Sequence, residues 1–257
     1  MRRRNLTPSP LGAIFSLAST YVYHLWSPGI YSWTYVGIGL LAILHMAILY
    51  LLASRFSQSI FGEFMRGAMI GLNSGWNGLT IYYFTSNIYI SASFCFILTL
   101  SSFLSISRNK TYHILISWLN WLLPMSLAVN LPGLIIFLIN LLIAPLGYLH
   151  PLLHGIRLRY HWDSKCSSIT LYGGLIRPIR GFAGLNMGNF IFINPGWGHL
   201  LKHEKGHLLS LAAMGSIFHY IGGIDENYLQ KYYWKALAEY FAESYSEGQD
   251  SVLSIWG

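Results

Sequence analysis

The chain has 257 residues, of which only 10% are Asp, Glu, Lys or Arg, while 54% are hydrophobic and 16% aromatic. A soluble domain carries roughly 25% charged residues, so this composition excludes a soluble chain. It equally excludes a disordered, collagen-like, coiled-coil or disulfide-stapled one. The net charge of +7 is unevenly spread. Residues 1–150 hold seven basic residues and one acid, Glu63, whereas residues 151–257 hold nine basic and eight acidic residues. The expected fold is mostly α: a polytopic transmembrane helical domain over 1–150, then a small α+β domain over 151–257.

Spanning about 30 Å of hydrocarbon takes about 17–25 apolar residues as helix. Six segments qualify: roughly Leu11–Trp26, Ile30–Ala53, Phe64–Phe84, Ile88–Ile106, Tyr112–Val129 and Leu131–Leu149. The third is the most polar, with Asn73 and Asn77. Its Gly67, Gly71 and Gly75 recur every four residues, the pattern that lets helices approach closely in lipid, so this helix is expected to face its neighbours.

Basic residues collect at alternate ends: Arg2, Arg3 and Arg4, then Arg55 and Arg66, Arg108 and Lys110, and Arg157 and Arg159. The opposite loops, at Ser27–Gly29, Thr85–Asn87 and Asn130, hold none. Lys and Arg accumulate on the cytoplasmic side, which predicts cytoplasmic termini and a cytoplasmic C-terminal domain. The same topology explains the positive charge without nucleic acid. The N-terminus also has the look of a signal peptide, and its removal would leave the side of the C-terminal part unchanged. Cys95 and Cys166 are expected as free thiols. His24, His45 and Trp33, inside apolar runs, read as packing groups rather than a transport pathway.

After Leu149 the texture changes to short β-prone runs, Ile156–Tyr160, Ile169–Tyr172 and Phe190–Ile193, bounded by Gly, Asn and Pro. From about Gly198 the spacing turns helical, through Leu200, His203, His207, Leu211 and Met214, with Gly215 and Gly222-Gly223 as punctuation. A second helix is expected from about Asp225 to near Glu247. Leu229, Tyr232, Tyr233, Ala236 and Tyr240 form one face, with Lys231 and Lys235 pointing away.

The first helix contains His203-Glu204-Lys205-Gly206-His207, an HExxH. Histidines at i and i+4 share one helix face, so both can reach one zinc ion, and Glu204 falls beside it, where a carboxylate can take a proton from water. A catalytic zinc needs a third protein ligand and an open position; Glu239 on the second helix can supply that oxygen. Glu243, one turn on, can orient a liganding histidine.

His203-Glu204-x-x-His207 followed by Glu239-x-x-Ala242-Glu243 resembles the gluzincin class of zinc metallopeptidases, and most of all its small, membrane-anchored minigluzincin-like forms. The segment Gly188–Pro195 is also similar to such proteins. The resemblance spans about residues 186–246. It implies that Phe190, Ile191, Phe192 and Ile193 form an edge strand aligning the substrate backbone. Two positions depart from the pattern: Lys205, where an uncharged residue is usual, and Glu243, where Asp or Asn is. His219 and Tyr220 are candidate donors to a developing oxyanion, whereas His150, His154 and His161 fit the junction between the two halves.

The expected function is therefore a membrane-embedded, zinc-dependent endopeptidase acting on membrane-associated protein or peptide substrates. A second reading is a non-catalytic scaffold or transporter with a zinc-stabilised cytoplasmic domain, for which Glu204 would have no use. A third places the HExxH helix itself in lipid; Lys202 and Lys205 argue instead for a site at the membrane surface.

Overall fold

The computed structural model describes residues 6–26, 33–106, 110–143, 159–163, 167–174, 183–194, 196–229 and 236–247. Arg2, Arg3, Arg4, Arg108, His150, His154, Arg157, Cys166, Pro195, Lys231, Tyr232, Tyr233 and Lys235 lie outside them, as do the ends of the second and sixth expected spans. The described part is mostly helical, with one small sheet. The helices are α1 (Pro10–Trp26), α2 (Trp33–Arg55), α3 (Ile60–Thr85), α4 (Ile88–Ile106), α5 (Lys110–Leu119), α6 (Leu127–Ile143), α7 (Leu201–Ile224) and α8 (Leu237–Glu247). The strands are β1 (Arg159–Asp163), β2 (Ser168–Tyr172), β3 (Gly184–Met187) and β4 (Phe190–Ile193).

Among the described residues, four segments are long and apolar enough to cross a membrane: Val36–Arg55, Ile88–Ile106, Pro124–Ile143 and Gly198–Tyr228. Together with the exposed Leu, Ile, Phe and Trp side chains along α2, α4 and α6, they mark an integral membrane protein. The fifth expected span, Tyr112–Val129, is not one helix. Helix α5 ends at Leu119, and a turn and the short 3-10 helix Pro124–Ser126 precede α6. Pro124 cannot donate a helical hydrogen bond and disfavours helix in the residue before it, and ten residues of α5 reach only about 15 Å.

Helix α3 is the most enclosed. Ser59 caps its N-terminus by accepting from the Gly62 amide. As expected from the glycine period, α3 meets its neighbours backbone to backbone. A Cβ on Gly67 would strike the Ser9 carbonyl, one on Gly71 the Ala13 carbonyl, and one on Gly75 the Thr20 hydroxyl, all contributed by α1 or the residues leading into it. His24 and His45 pair with Tyr83 and Tyr23, each across 3.3 Å, as packing groups do.

Helix α7 runs through the middle of this bundle. Leu208, Leu209, Ala212, Ala213, Met214 and Phe218 share one buried core with α2, α3, α4, α5 and α8, so this core extends across residue 150. The helix is broken at Gly215, whose φ of 89° and ψ of 171° are non-helical. Twelve residues of straight helix rise about 18 Å, yet the rings of His207 and His219 lie 6.2 Å apart. The chain therefore folds back at Gly215, and Gly198–Tyr228 is not one straight crossing. The Asn73 side-chain amide donates to the Ala212 and Ala213 carbonyls at this break, each at 3.1 Å. Asn77 donates to Asn73 and accepts from the Met125 amide at 3.0 Å. Irregular backbone at membrane depth needs such protein partners, because lipid supplies none.

The sheet has the order β1-β2-β4-β3, with β2 and β4 parallel and the outer pairs antiparallel. Its β3–β4 turn is held at the α5–α6 break: the Asn189 amide donates to Asn130 at 2.8 Å, and the Asn120 side chain donates to Asn189 at 2.8 Å.

The backbone contact of α3 predicts a sharp contrast between two glycines. Gly71→Val must push α1 away from α3, an overpacking cost of about 1–3 kcal/mol, and should lower the melting temperature in detergent by roughly 3–10 °C. Gly39→Ala, where nothing lies within 4 Å of the added carbon, should leave it unchanged or slightly raised. Equal effects of the two substitutions would contradict the α1–α3 packing.

Candidate metal site

Helix α7 carries both histidines in its first two turns, and α8 delivers Glu239 to them. Glu239 Oε2 lies 3.1 Å from His203 Nε2, and its Oε1 lies 3.1 Å from His207 Nε2. The two Nε2 atoms are themselves 3.1 Å apart. Three ligand atoms on two helices thus converge, and this group could hold a metal ion. Glu239 Oε1 is buried and, despite its closeness to His207, lacks a well-formed hydrogen bond. A buried carboxylate oxygen left so is costly, and a cation among the three atoms removes that cost. Burial works to raise the Glu239 carboxyl, but the His203 and His207 rings beside it outweigh burial and hold it well below the usual carboxylate range. It is therefore a carboxylate, the form that a cation would require.

What allows this convergence is Gly206. A Cβ there would strike the Ala242 carbonyl of α8, so the two helices cross with no side chain between them. A second close approach joins Gly222 to Ala238. From α2, the Tyr50 hydroxyl accepts from the Ala238 amide at 3.3 Å and donates to Asp225 at 2.6 Å, tying down the chain on both sides of α8's N-terminus.

The three residues open onto a cleft of about 430 Å³. Glu204 is buried beside them, and its carboxylate lies beneath Gly184 of β3, where a Cβ would touch it. The expected substrate-aligning strand is corrected here. Phe190, Ile191, Phe192 and Ile193 form β4, which is buried and paired on both sides, leaving no edge to offer. The edge strand lining the cleft is β3. Ala183 O accepts from the Asn194 amide, so in the antiparallel alternation Gly184 and Asn186 direct their main-chain groups away from β4, where His219 takes the Asn186 carbonyl.

The remaining expected residues separate. His219 lines the cleft and pairs through Nε2 with the Asn186 carbonyl at 3.1 Å. A carbonyl only accepts, so this fixes the proton on Nε2 and leaves Nδ1 of the neutral ring without one. Tyr220 donates its hydroxyl to the Ala128 carbonyl at 2.7 Å and does not line the cleft. Glu243 is half-buried, one turn past Glu239 on α8. Lys205 forms an ion pair with Asp163 at the end of β1, so its charge is matched outside the metal group. Sequence reasoning passed over Glu226, Trp197 and β3, all of which line the cleft. The signal available for β3 was a turn at Gly188-Asn189, which implies a strand on each side.

No protein-family model, curated protein or solved structure matches this chain.

Because α8 is set against α7 at Gly206, Gly206→Ala should move Glu239 away from the histidines while keeping every ligand. Metal affinity, read by competition with a chromophoric chelator, should fall by about 10–100-fold. An unchanged affinity would mean that other contacts place α8.

Proposed function

We propose that this protein is a membrane-embedded, zinc-dependent endopeptidase of gluzincin-like design. The observation that carries the reading is the convergence of His203, His207 and Glu239 at an open cleft, with Glu204 beside them and the outer strand β3 alongside. Ligands held tetrahedrally at about 2.0–2.1 Å from one ion stand about 3.3 Å apart, close to the 3.1 Å separations here. Two imidazoles and a carboxylate are also a donor set that suits zinc.

Zinc in this position would supply Lewis-acid activation of water and of the scissile carbonyl. Glu204 accepts the proton of the attacking water and can return it to the leaving amine, as a buried carboxylate at the centre's edge is placed to do. An extended peptide adds to β3, using the main-chain groups of Gly184. Its missing side chain lets that peptide pass close to Glu204. His219, held by Asn186, borders the cleft and limits how the substrate lies.

The cytoplasmic side is supported by where α8 attaches. Ala238 is bound to Tyr50, about one and a half turns before Arg55 at the end of α2. Tyr245 meets Ser105 at 3.1 Å and stacks edge-on against His113, near the α4–α5 connection. Both contacts lie toward the basic ends of the helices, those bearing Arg55 and Lys110. Six crossings would be reached if α1, α3 and the short α5 each crossed alongside α2, α4 and α6. Membrane-associated proteins or peptides are the fitting substrates for a cleft so placed.

Two measurements separate this reading from a metal-stabilised scaffold. Glu204→Gln should retain zinc and lose peptide hydrolysis by roughly 10²–10⁴-fold, in turnover, whereas His203→Ala should lose the metal itself. Hydrolysis that survives Glu204→Gln would sink the peptidase reading and favour the scaffold. For topology, a cysteine introduced at Gln249 in a chain lacking Cys95 and Cys166 should resist an impermeant thiol reagent in intact cells. Ready labelling there would place the site on the opposite face.

A further inference from the structure

The charges around the cleft do not cancel. Among its described lining residues the carboxylates are Glu204, Glu226 and Glu239, and no Lys or Arg joins them. Glu239 is committed to the two histidines. Glu204 is buried beneath Gly184. Glu226 is different: it is exposed, on the π-helical turn Asp225–Leu229, where the chain leaves α7. It lies close enough to interact electrostatically with Glu239, His207, Glu204 and His203. No ion pair engages it among the described residues.

A divalent cation between the histidines balances Glu239 and Glu204. Glu226 then remains as one negative charge at the edge of an otherwise neutral centre. Its neighbours in the wall, Gly223 and Asn227, carry no charge, and the Asn227 amide is occupied by the Gly223 carbonyl at 2.7 Å. A glutamate in this position gains no ion pair from the described residues of the fold. It gains a partner when a cation enters the cleft.

Resting on the peptidase reading, we propose that Glu226 is a specificity-determining residue. It makes the cleft prefer substrates with a Lys or Arg side chain beside the scissile bond. A charge pair half-shielded by a cleft wall is stronger than one on an open surface, and its main effect is discrimination between ligands. Lysine against norleucine isolates the charge, since the two share the apolar stem.

The test uses the full-length, zinc-loaded protein in detergent and two readouts. The first is the ratio of kcat/KM for N-acetylated, internally quenched peptides that differ only in Lys, norleucine or Glu beside the cleaved bond. The second is calorimetric binding of the hydroxamates of the same three amino acids, which needs no turnover. In the wild type, Lys should exceed norleucine by about five- to tenfold in both readouts, with Glu the poorest. Glu226→Gln should bring the Lys-to-norleucine ratio close to one, and Glu226→Lys should invert the order so that Glu leads. Inversion is an outcome that mere damage to the fold does not produce. If the wild type shows no preference, or if the preference survives Glu226→Gln, the role of Glu226 is overturned while the peptidase reading stands. If no peptide is cut and no hydroxamate binds, the peptidase reading itself fails, and the specificity inference with it.

Discussion

Everything about the candidate metal site depends on how closely α7 and α8 can cross. Glu239 reaches two imidazoles on another helix only because position 206 has no side chain to hold α8 off. Gly206 and Ala242 are placed at the crossing, and Gly222 with Ala238 repeats the arrangement between the same two helices, beyond the break at Gly215. Small residues have this role in membrane proteins because lipid tails offer no hydrophobic drive between helices, so association depends on close packing and hydrogen bonds. The α1–α3 pair uses the same device through Gly67, Gly71 and Gly75. One packing rule thus builds both the outer bundle and the site.

That rule also explains which features were legible in the sequence. The HExxH spacing is a local periodicity, and an α-helix converts it directly into a shared face for His203 and His207; Glu239 lies on another helix, so its meeting with them depends on the helix crossing and not on spacing. The apolar runs of α2 and α4 and the glycine period of α3 were equally readable. The break after Leu119 was not, because apolar composition continues across it. Only Pro124 hints at the interruption, and the compensating partners are asparagines from the β3–β4 turn and α6. The edge strand was misassigned for a related reason. Phe190–Ile193 has the strongest β signal, and strong apolar β signals belong to central strands buried on both faces. The true edge, Gly184–Met187, is short and weakly apolar, as edge strands tend to be.

Lys205 shows the limit of judging a motif position in isolation. Within the helix it is a cation between the two histidines of the candidate metal group. In the fold it turns to Asp163 on β1, so the sheet neutralises it, and Asn186 of β3 donates to the Glu204 carbonyl at 3.0 Å. The sheet therefore supports the site helix on two sides. Neither contact could be read from spacing, because each joins residues between 18 and 42 positions apart.

The fold-back at Gly215 resolves a conflict between the composition of this segment and its chemistry. Residues Gly198–Tyr228 are apolar enough to cross a bilayer, yet the proposed hydrolysis requires water and exposed polar groups. A straight helix would carry Glu226 about 28 Å from His207 along its axis and leave the metal group facing packed side chains. Reversal at Gly215 returns His219, Gly223 and Glu226 to the cleft that holds His203 and His207. The cost is a pair of freed carbonyls deep in the bundle, and Asn73 answers both. The polar character of α3, which makes it the least apolar of the expected spans, is thus a requirement of the site. Asparagine on α3 and glycine on α7 form a single device, and substituting either one would strain the other before it disturbed any ligand.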